Sequence, residues 1–427
     1  MPPSPLSFTF IANACGIFTG RDGSRILCDP WLKDGVFDGS WCHYPPLKTS
    51  MEDIRDVDAV FISHLHPDHF DERTFDFAYD TPLIVLEHPP NFLIRKLESL
   101  GYTNLIRIKD GETATFREFE LTCYAPFEGH VFHEADVGNL IDSALIVACD
   151  GVSALNANDN TPSLDAARML FERFGAFDLA MLNYNAAGPY PSCFDNLSID
   201  DKREEHSRVL TRNLDHLVGL LHILKPRAFL PFAGAYVIGG REHHKNAVLG
   251  TTTWDACADY VRPRCPDVHT VTLREGDTYD LTTKRSDKPY EPVDTAAMQR
   301  YIADTLAHMP YPYEADAQPD EDSVLTLLET AADAMKARMG RMNLKSDFSV
   351  ILNVGDTAVS VYPDYAKLNG SRPEKRLECT LDLRLLKRIL ERKSHWNNAE
   401  IGAHINFVRT PNTYQPDLHT ALQFLHV

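Results

Sequence analysis

A chain of 427 residues with 44% hydrophobic content is long enough for two or three domains with substantial cores, which excludes a disordered polymer. Its 42 Lys+Arg stand against 61 Asp+Glu, a net charge of −19 spread without a basic stripe, which excludes the electrostatic footprint of a nucleic-acid binder and leaves a small molecule as the expected partner. Nine cysteines with no CxxC pair set aside a disulfide framework and predict a reducing, cytoplasmic setting; no apolar run approaches the ~20 residues of a bilayer span, and "MPPSPLSFTF" lacks the positive region of a signal peptide.

In chain order, "SFTFIANACGIF" and "SRILCDPWL" flank the turn "TGRDG" and read as a hairpin. "VDAVFIS" and "TPLIVLE" are apolar runs of the kind buried on both faces of a sheet. "NFLIRKLESLGY" predicts a helix ending at Gly101. "FELTCYAP" and "SALIVACDGVSALNAND" add three strands, the last two turning at Asp150-Gly151. Helix then strand follows twice, in "DAARMLFERFG" with "FDLAMLNY" and in "EEHSRVLTRNLDHLVGLLHILKP" with "RAFLPFAG". In the longer helix Leu210, Leu214, Leu217, Leu221 and Leu224 repeat at helical spacing, so one face packs into a core.

The text turns polar and proline-bearing after about Thr282, with a helical stretch from Ala296 to His308. This predicts a metal-binding domain over 1–285, a linker with a short helix over 286–320 and a small α+β domain over 321–427. That last region reads as a helix "SVLTLLETAADAMKARM", a hairpin "FSVILNVGDTAVSVYP", a strand "KRLECTLDL", a helix "RLLKRILERK", a strand "AEIGAHINFVR" and a terminal helix.

The stretch with the most chemistry is "FISHLHPDHFDE". An extended strand end places His64 and His66 on one side, with Asp68 and His69 at the following turn, available to a second ion. Imidazoles and a carboxylate suit zinc or iron, and their mixture suits two adjacent metals. Further donors are expected from later strand ends: His133, with His130 as its alternative, in "FEGHVFHEADVGN", and Asp159 in "LNAND" as a bridging carboxylate. Asp159 could instead cap the next helix, although Thr161 or Ser163 would serve at least as well.

These residues, with the opening hairpin and Asp29 in "CDPWL", occur in the order of the metallo-β-lactamase superfamily, which the chain resembles from about Ser7 to Leu281. The resemblance implies an α/β fold, an αββα sandwich with two metal ions at one edge of its sheets, joined to the second, smaller α+β domain. "CDPWLKDGVFDGSW", "FISHLHPDHF" and "LKPRAFLPFAGAYV" are also similar to the catalytic half of the CMP-N-acetylneuraminate hydroxylase family, and the C-terminal region resembles that family's and, in outline, a sterol-carrier-protein domain. That family carries a Rieske iron-sulfur domain whose ligand pattern is not found here, so an oxygenase would take electrons from an external donor. Where the superfamily's hydrolases place a late metal-binding histidine, this sequence has Ala233, Gly234 and Ala235; His243 or His244 is the expected substitute.

Two reactions suit such a site. An oxygenase would use two ions, iron favoured and zinc or manganese as alternatives, on a small polar metabolite. A hydrolase of an ester, lactone or phosphodiester would use metal-bound water oriented or deprotonated by Asp68. A non-catalytic binding protein, the third class, would be expected to lose some ligands, whereas His64, His66, Asp68 and His69 are all present. Asp68, His243, Arg241 and Tyr236 are the catalytic candidates. Asn183, Tyr184 and Asn185 in "NYNAAGPYPSCF", together with Arg241 as a bidentate clamp, are the expected substrate contacts. Lys245 lies on the same expected edge, and Trp31, Trp41, Trp396 and Ile401 are expected to pack.

Overall fold

The computed structural model describes residues 4–89, 91–127 and 142–427. Two large sheets form its N-terminal part. In the first, strands run in the order 285–286, 278–280, 6–12, 15–20, 25–28, 59–61, 83–87 and 105–109. Its early strands pair antiparallel, whereas 25–28, 59–61, 83–87 and 105–109 pair parallel. In the second sheet the order is 269–270, 228–231, 179–182, 152–158, 144–149, 119–124 and 113–116, parallel up to 152–158 and antiparallel beyond it.

The apolar side chains account for the layering. Phe8, Phe18, Ile26 and Phe61 from the first sheet meet Leu121, Leu145, Leu179 and Leu230 from the second in one dry core. The first sheet's outer face buries Val60, Leu83 and Val85 against Leu93, Ile94 and Leu97 of the helix Phe92–Ser99. The second sheet's outer face packs on the helices Leu164–Phe174, Ile199–Leu224 and Trp254–Val261. The result is an αββα sandwich, as expected of sheets that carry an apolar face on each side. In the long helix Leu214, Leu217, Leu221 and Leu224 are buried, joined by Val209 and Leu220, and Leu210 sits half-buried at the margin.

Local sequence explains several boundaries. Asp150 and Gly151, at φ 49° and 79°, form the two-residue turn between 144–149 and 152–158 that requires left-handed backbone at both positions. Gly101, at φ 97°, stands just past the helix Phe92–Ser99, where a left-handed residue stops a helix cheaply. "SFTFIANACGIF" is not one strand: Asn13 takes φ 46° and folds it into Leu6–Ala12 and Cys15–Gly20. "AEIGAHINFVR" is not one strand either. The helix Trp396–Ile401 runs through its start and the strand begins at Asn406, because Trp396 is fully buried and short apolar runs fit either periodicity.

The C-terminal part is a five-stranded sheet, 366–367, 357–362, 349–354, 376–380 and 406–410, covered by the helices Glu321–Met342, Leu383–Leu390 and Pro416–Leu422. Its core does not stop at its own boundary. Leu385, Trp396 and Phe407 share one apolar cluster with Trp31, Phe37, Trp41 and Tyr236 of the N-terminal part. Residues 286–320, expected as a linker, are packed as well: Ile302 and Leu306 bury against Cys42 and Val237, and Tyr311 and Tyr313 are buried in the shared core. The edge strand 406–410 is covered by the loop before the long helix, with Phe407 N donating to Cys193 O (2.8 Å) and Asp195 N donating to Phe407 O (2.8 Å), which removes an exposed sheet edge. All nine cysteines are free and buried, and no helix of the described residues is long and apolar enough to cross a membrane.

Candidate metal centre

The carboxyl ends of the parallel strands converge at one edge of the sandwich. Strand 25–28 ends at Asp29, strand 59–61 leads into His64–His69, strand 152–158 into Asp159, and strand 179–182 into Asn183. Because side chains at these ends come from neighbouring strands, residues more than a hundred positions apart share one pocket.

Three imidazoles have their outer nitrogens held. His64 Nδ1 lies 2.9 Å from Ser63 Oγ, His69 Nδ1 lies 2.9 Å from Asp29 Oδ2, and His66 Nε2 lies 2.9 Å from Asn397 Oδ1. Asp29 also accepts from Ser63 N (2.8 Å), so one carboxylate fixes both the loop and His69. With protons on the outer nitrogens of His66 and His69, their inner ones carry lone pairs, and these face inward. His64 Nε2 and His66 Nδ1 stand 2.8 Å apart. Among the described residues His69 Nε2 is buried without a hydrogen-bond partner, 3.5 Å from Asp68 Oδ2 and 3.5 Å from Asp159 Oδ2. Asp142 Oδ1 is 3.6 Å from His64 Nε2.

At 2.8 Å His64 Nε2 and His66 Nδ1 share one proton in a hydrogen bond, and a cation between them would take that proton's place with both lone pairs as ligands. Two groupings among the described residues bring their ligand atoms within 4.8 Å of one another: His64, His69 and Asp159, and His64, His66 and Asp142. The donor set therefore fits a pair of transition-metal ions, with His64 between the two groupings. Nitrogen and oxygen donors without thiolate suit iron, zinc or manganese.

The electrostatics point the same way. Burial, reinforced by the neighbouring His69 and His66, pushes the His64 pKa well below its ordinary value and keeps the ring neutral. Burial pushes the Asp68 carboxyl up. Burial opposes charge on His69, yet Asp68, Asp159 and Asp29 together raise its pKa well above the ordinary value. For Asp159 burial also acts upward, and the positive His69 outweighs it to lower the pKa. A buried ring flanked by three carboxylates is a setting that favours a cation, proton or metal ion.

The carboxylates are aimed by amides. Asn13 Nδ2 donates to Asp68 Oδ2 (3.0 Å), while Asn13 Oδ1 accepts from Ala235 N (3.1 Å). Asn183 Nδ2 donates to Asp159 Oδ1 (3.2 Å) and to Ala233 O (2.7 Å). Ser163, not Asp159, caps the helix Leu164–Phe174, which leaves Asp159 to the pocket. A cavity of about 460 Å³ adjoins the site, with Asn13 and Ala235 in its wall beside Tyr44, Trp254 and Arg274.

Other expected site residues stand elsewhere. His130 and His133 lie outside the described residues. His243 and His244 lie on the short helix Gly240–Val248, where His243 Nδ1 meets Gly240 O (3.0 Å) and His244 Nδ1 meets Arg241 O (3.3 Å); neither joins a metal grouping among the described residues. The two histidines expected as late substitutes thus lie on this helix and outside both groupings of the described residues. Arg241 is committed to the seam with the C-terminal part, paired with Asp382 (3.1 Å), bonded to Tyr313 Oη (3.1 Å) and lying over the rings of Tyr311 and Tyr313. Lys245, buried, bonds Ala403 O (2.6 Å) and Asn406 Oδ1 (2.7 Å) across the same seam. Tyr236 stacks on Trp41 with ring centroids 3.4 Å apart, and its hydroxyl donates to Ala186 O (3.1 Å); burial, then the charge of Asp68, raises its pKa. Tyr184 is only 2% exposed, packed in the core under the second sheet's helices and in the wall of a cavity of about 240 Å³ with Tyr236 and Trp254. Asn185 ties Gly234 O (2.6 Å) to Thr252 O (2.8 Å) and so shapes the loop.

Sequence reasoning did not find Asn13, Asp142 or Asn397. Isolated amides and a carboxylate beside a strand carry no motif, and only their convergence marks them.

Comparison with known proteins fits this geometry. Residues 24–233, just under half of the chain, match the family model of the beta-lactamase superfamily domain. A protein of Mycolicibacterium smegmatis named as a Rieske 2Fe-2S iron-sulfur protein is 31% identical over 44% of this chain and 36% of its own length. The cytidine monophosphate-N-acetylneuraminic acid hydroxylase of Danio rerio is 24% identical over 67% of this chain and 48% of its own. The chain thus spans about half or less of the length of these curated relatives. Among solved structures, similarity extends to CmlA, a diiron beta-hydroxylase from Streptomyces venezuelae (17% identity, TM-score 0.45, 67% of this chain and 55% of that one). It extends also to Igni18, a metallo hydrolase from Ignicoccus hospitalis (15% identity, TM-score 0.43, 67% and 99%).

Proposed function

We propose that this chain is a dinuclear-metal oxygenase, with iron as its metal, acting on a small polar metabolite and drawing electrons from an external donor. The observation that carries the reading is the sequence similarity, over 67% of the chain, to a protein named as a hydroxylase, together with that to a protein named for an iron-sulfur centre. His64, His66 and Asp142 would hold one ion, and His69 and Asp159, with His64 shared and Asp68 beside them, the other. When bound, two irons supply the redox capacity that oxygen activation needs and side chains lack.

The chain's own residues do the rest. Asn13 and Asn183 fix the oxygens of Asp68 and Asp159 at which they donate, leaving the other lone pairs to ligate. Asp29 and Asn397, which only accept at these atoms, hold His69 and His66 in the tautomers that present lone pairs inward, and Ser63 Oγ braces His64. The Trp41–Tyr236 stack and the shared apolar core exclude water from one side of the pocket. The adjoining cavity, about 460 Å³, is of a size for a small molecule.

A hydrolase is the second reading, favoured by the same donor set, which serves zinc equally well, and by Asp68, a buried carboxylate whose raised pKa suits proton transfer from water. Metal analysis of protein grown with iron or with zinc, followed by oxygen-uptake measurements on candidate metabolites, separates the two. Two irons per chain and substrate-dependent oxygen uptake are expected. Stoichiometric zinc with ester, lactone or phosphodiester hydrolysis and no oxygen uptake would reject the oxygenase.

A further inference from the structure

The three histidines of the centre are held from different distances along the chain. His64 is held by its neighbour Ser63, and His69 by Asp29 from the adjacent strand end. The outer nitrogen of His66 instead meets Asn397 Oδ1 at 2.9 Å, across 331 positions of sequence. We infer that Asn397 is a positioning residue of the metal centre, through which the C-terminal part selects the tautomer of His66 and completes the ligand set. This rests on the reading of the cluster as a metal site.

The segment that carries Asn397 is clamped well enough to do this. Trp396 beside it is fully buried. Ser394 Oγ donates to Asp38 Oδ2 (2.7 Å), Trp41 Nε1 donates to Ile401 O (3.2 Å), Lys245 Nζ donates to Ala403 O (2.6 Å), and His404 Nε2 lies 2.9 Å from Phe37 O. Gly402 lets the backbones touch: a Cβ there would stand 2.8 Å from Phe37 O. Every clamp joins residues 394–404 to residues of the N-terminal part, so the amide of Asn397 reaches His66 from a fixed support.

The consequence is chemical. An amide oxygen accepts, so the His66 proton sits on Nε2 and the lone pair on Nδ1, the nitrogen that faces His64 Nε2 at 2.8 Å. Without that acceptor the neutral ring samples both tautomers, and one of them turns a proton toward the ion. Loss of such an outer contact typically weakens metal binding about 10–100-fold.

The test compares full-length wild type with the N397A, N397D and N398A variants. Two-bond proton–nitrogen correlations on metal-free protein with ¹⁵N-labelled histidine, with the His66 signals assigned by their loss in H66Q, read which nitrogen carries the proton. Zinc affinity by chelator competition is the second readout. We expect Nε2–H in wild type and N398A, a tautomer mixture with roughly 10–100-fold weaker zinc binding in N397A, and recovery of both in N397D, whose carboxylate also accepts. An N397A protein with the wild-type tautomer and unchanged zinc affinity would overturn the inference, as would N397D failing as badly as N397A. Should the wild type bind neither zinc nor iron, the metal reading itself falls, an outcome distinct from intact binding that ignores Asn397.

Discussion

A cluster of three histidines and the single ring of His404 both border Phe37 and are treated in opposite ways. At the sheet edge, His64, His66 and His69 crowd their inner nitrogens toward one another and toward carboxylates, and His69 Nε2 has no hydrogen-bond partner among the described residues. At the seam, His404 is satisfied on both sides as a neutral ring, with Nδ1 3.0 Å from Tyr313 Oη and Nε2 2.9 Å from Phe37 O. The first arrangement is costly for a polypeptide alone and the second is stabilising. Polar groups left in conflict inside a well-packed fold mark where a ligand belongs, and matched ones mark where the fold is joined.

That contrast can be broken by mutation. Replacing His69 with Ala should abolish turnover, a loss of about 10³-fold or more, and remove bound metal by elemental analysis, while the metal-free protein keeps or gains thermal stability. A large loss of stability with full metal content would invert the comparison. Adding zinc to wild type should raise the unfolding free energy by about 4 kcal/mol at a thousandfold excess over Kd, and an H404A protein should show the same increment.

Next in size, H404A itself should cost about 2–3 kcal/mol in denaturant unfolding without altering metal stoichiometry. The same residue gives a pH signature. Burial holds its pKa down to about 4, against an ordinary 6.5. Below about pH 6.5 the unfolded chain takes a proton that the native ring refuses, so stability is full above pH 6.5 and falls as pH drops towards 4. Asp38 acts in the reverse sense: burial raises its carboxyl to about 6 from 3.8, so its contribution is present at low pH and lost as pH rises through 6. Unfolding curves in a D38N background should therefore show a steeper loss on acidification, and the H404N variant a shallower one.

The smallest effect should come from Arg241. Its guanidinium is spent on Asp382 and the Tyr311 and Tyr313 rings. R241A should lower stability by about 1 kcal/mol and leave kcat/KM within about threefold, since the side chain stabilises the seam and touches no metal ligand. A hundredfold fall in kcat/KM with unchanged stability would restore it to the site.

How much of this was legible in the residue order depends on distance along the chain. The cluster from His64 to His69 is local, and an apolar strand leading into alternating histidines states its own geometry, because the backbone alone sets which side chains share a face. Asp159 was readable for a related reason: it ends a strand, and Ser163 was available to cap the helix behind it. Asn13, Asp142 and Asn397 were not readable, since a single amide or carboxylate repeats no pattern. The region 286–320 looked like a linker because proline and charge dominate it, yet Tyr311 and Tyr313 are buried there; composition averages over the few side chains that anchor a segment.

By itself, then, the sequence determined the order of strands and helices, the apolar faces that stack them and the short run of candidate ligands at one strand's end, all of which follow from neighbours within a few residues. Only the tertiary structure decided which nitrogen each imidazole presents, which carboxylates meet them and that Asn397 reaches His66 from the far end of the chain. The physical reason is that hydrogen bonds and cation sites are fixed by distances of about 3 Å in space, and chain folding sets those distances between residues that sequence spacing leaves unrelated.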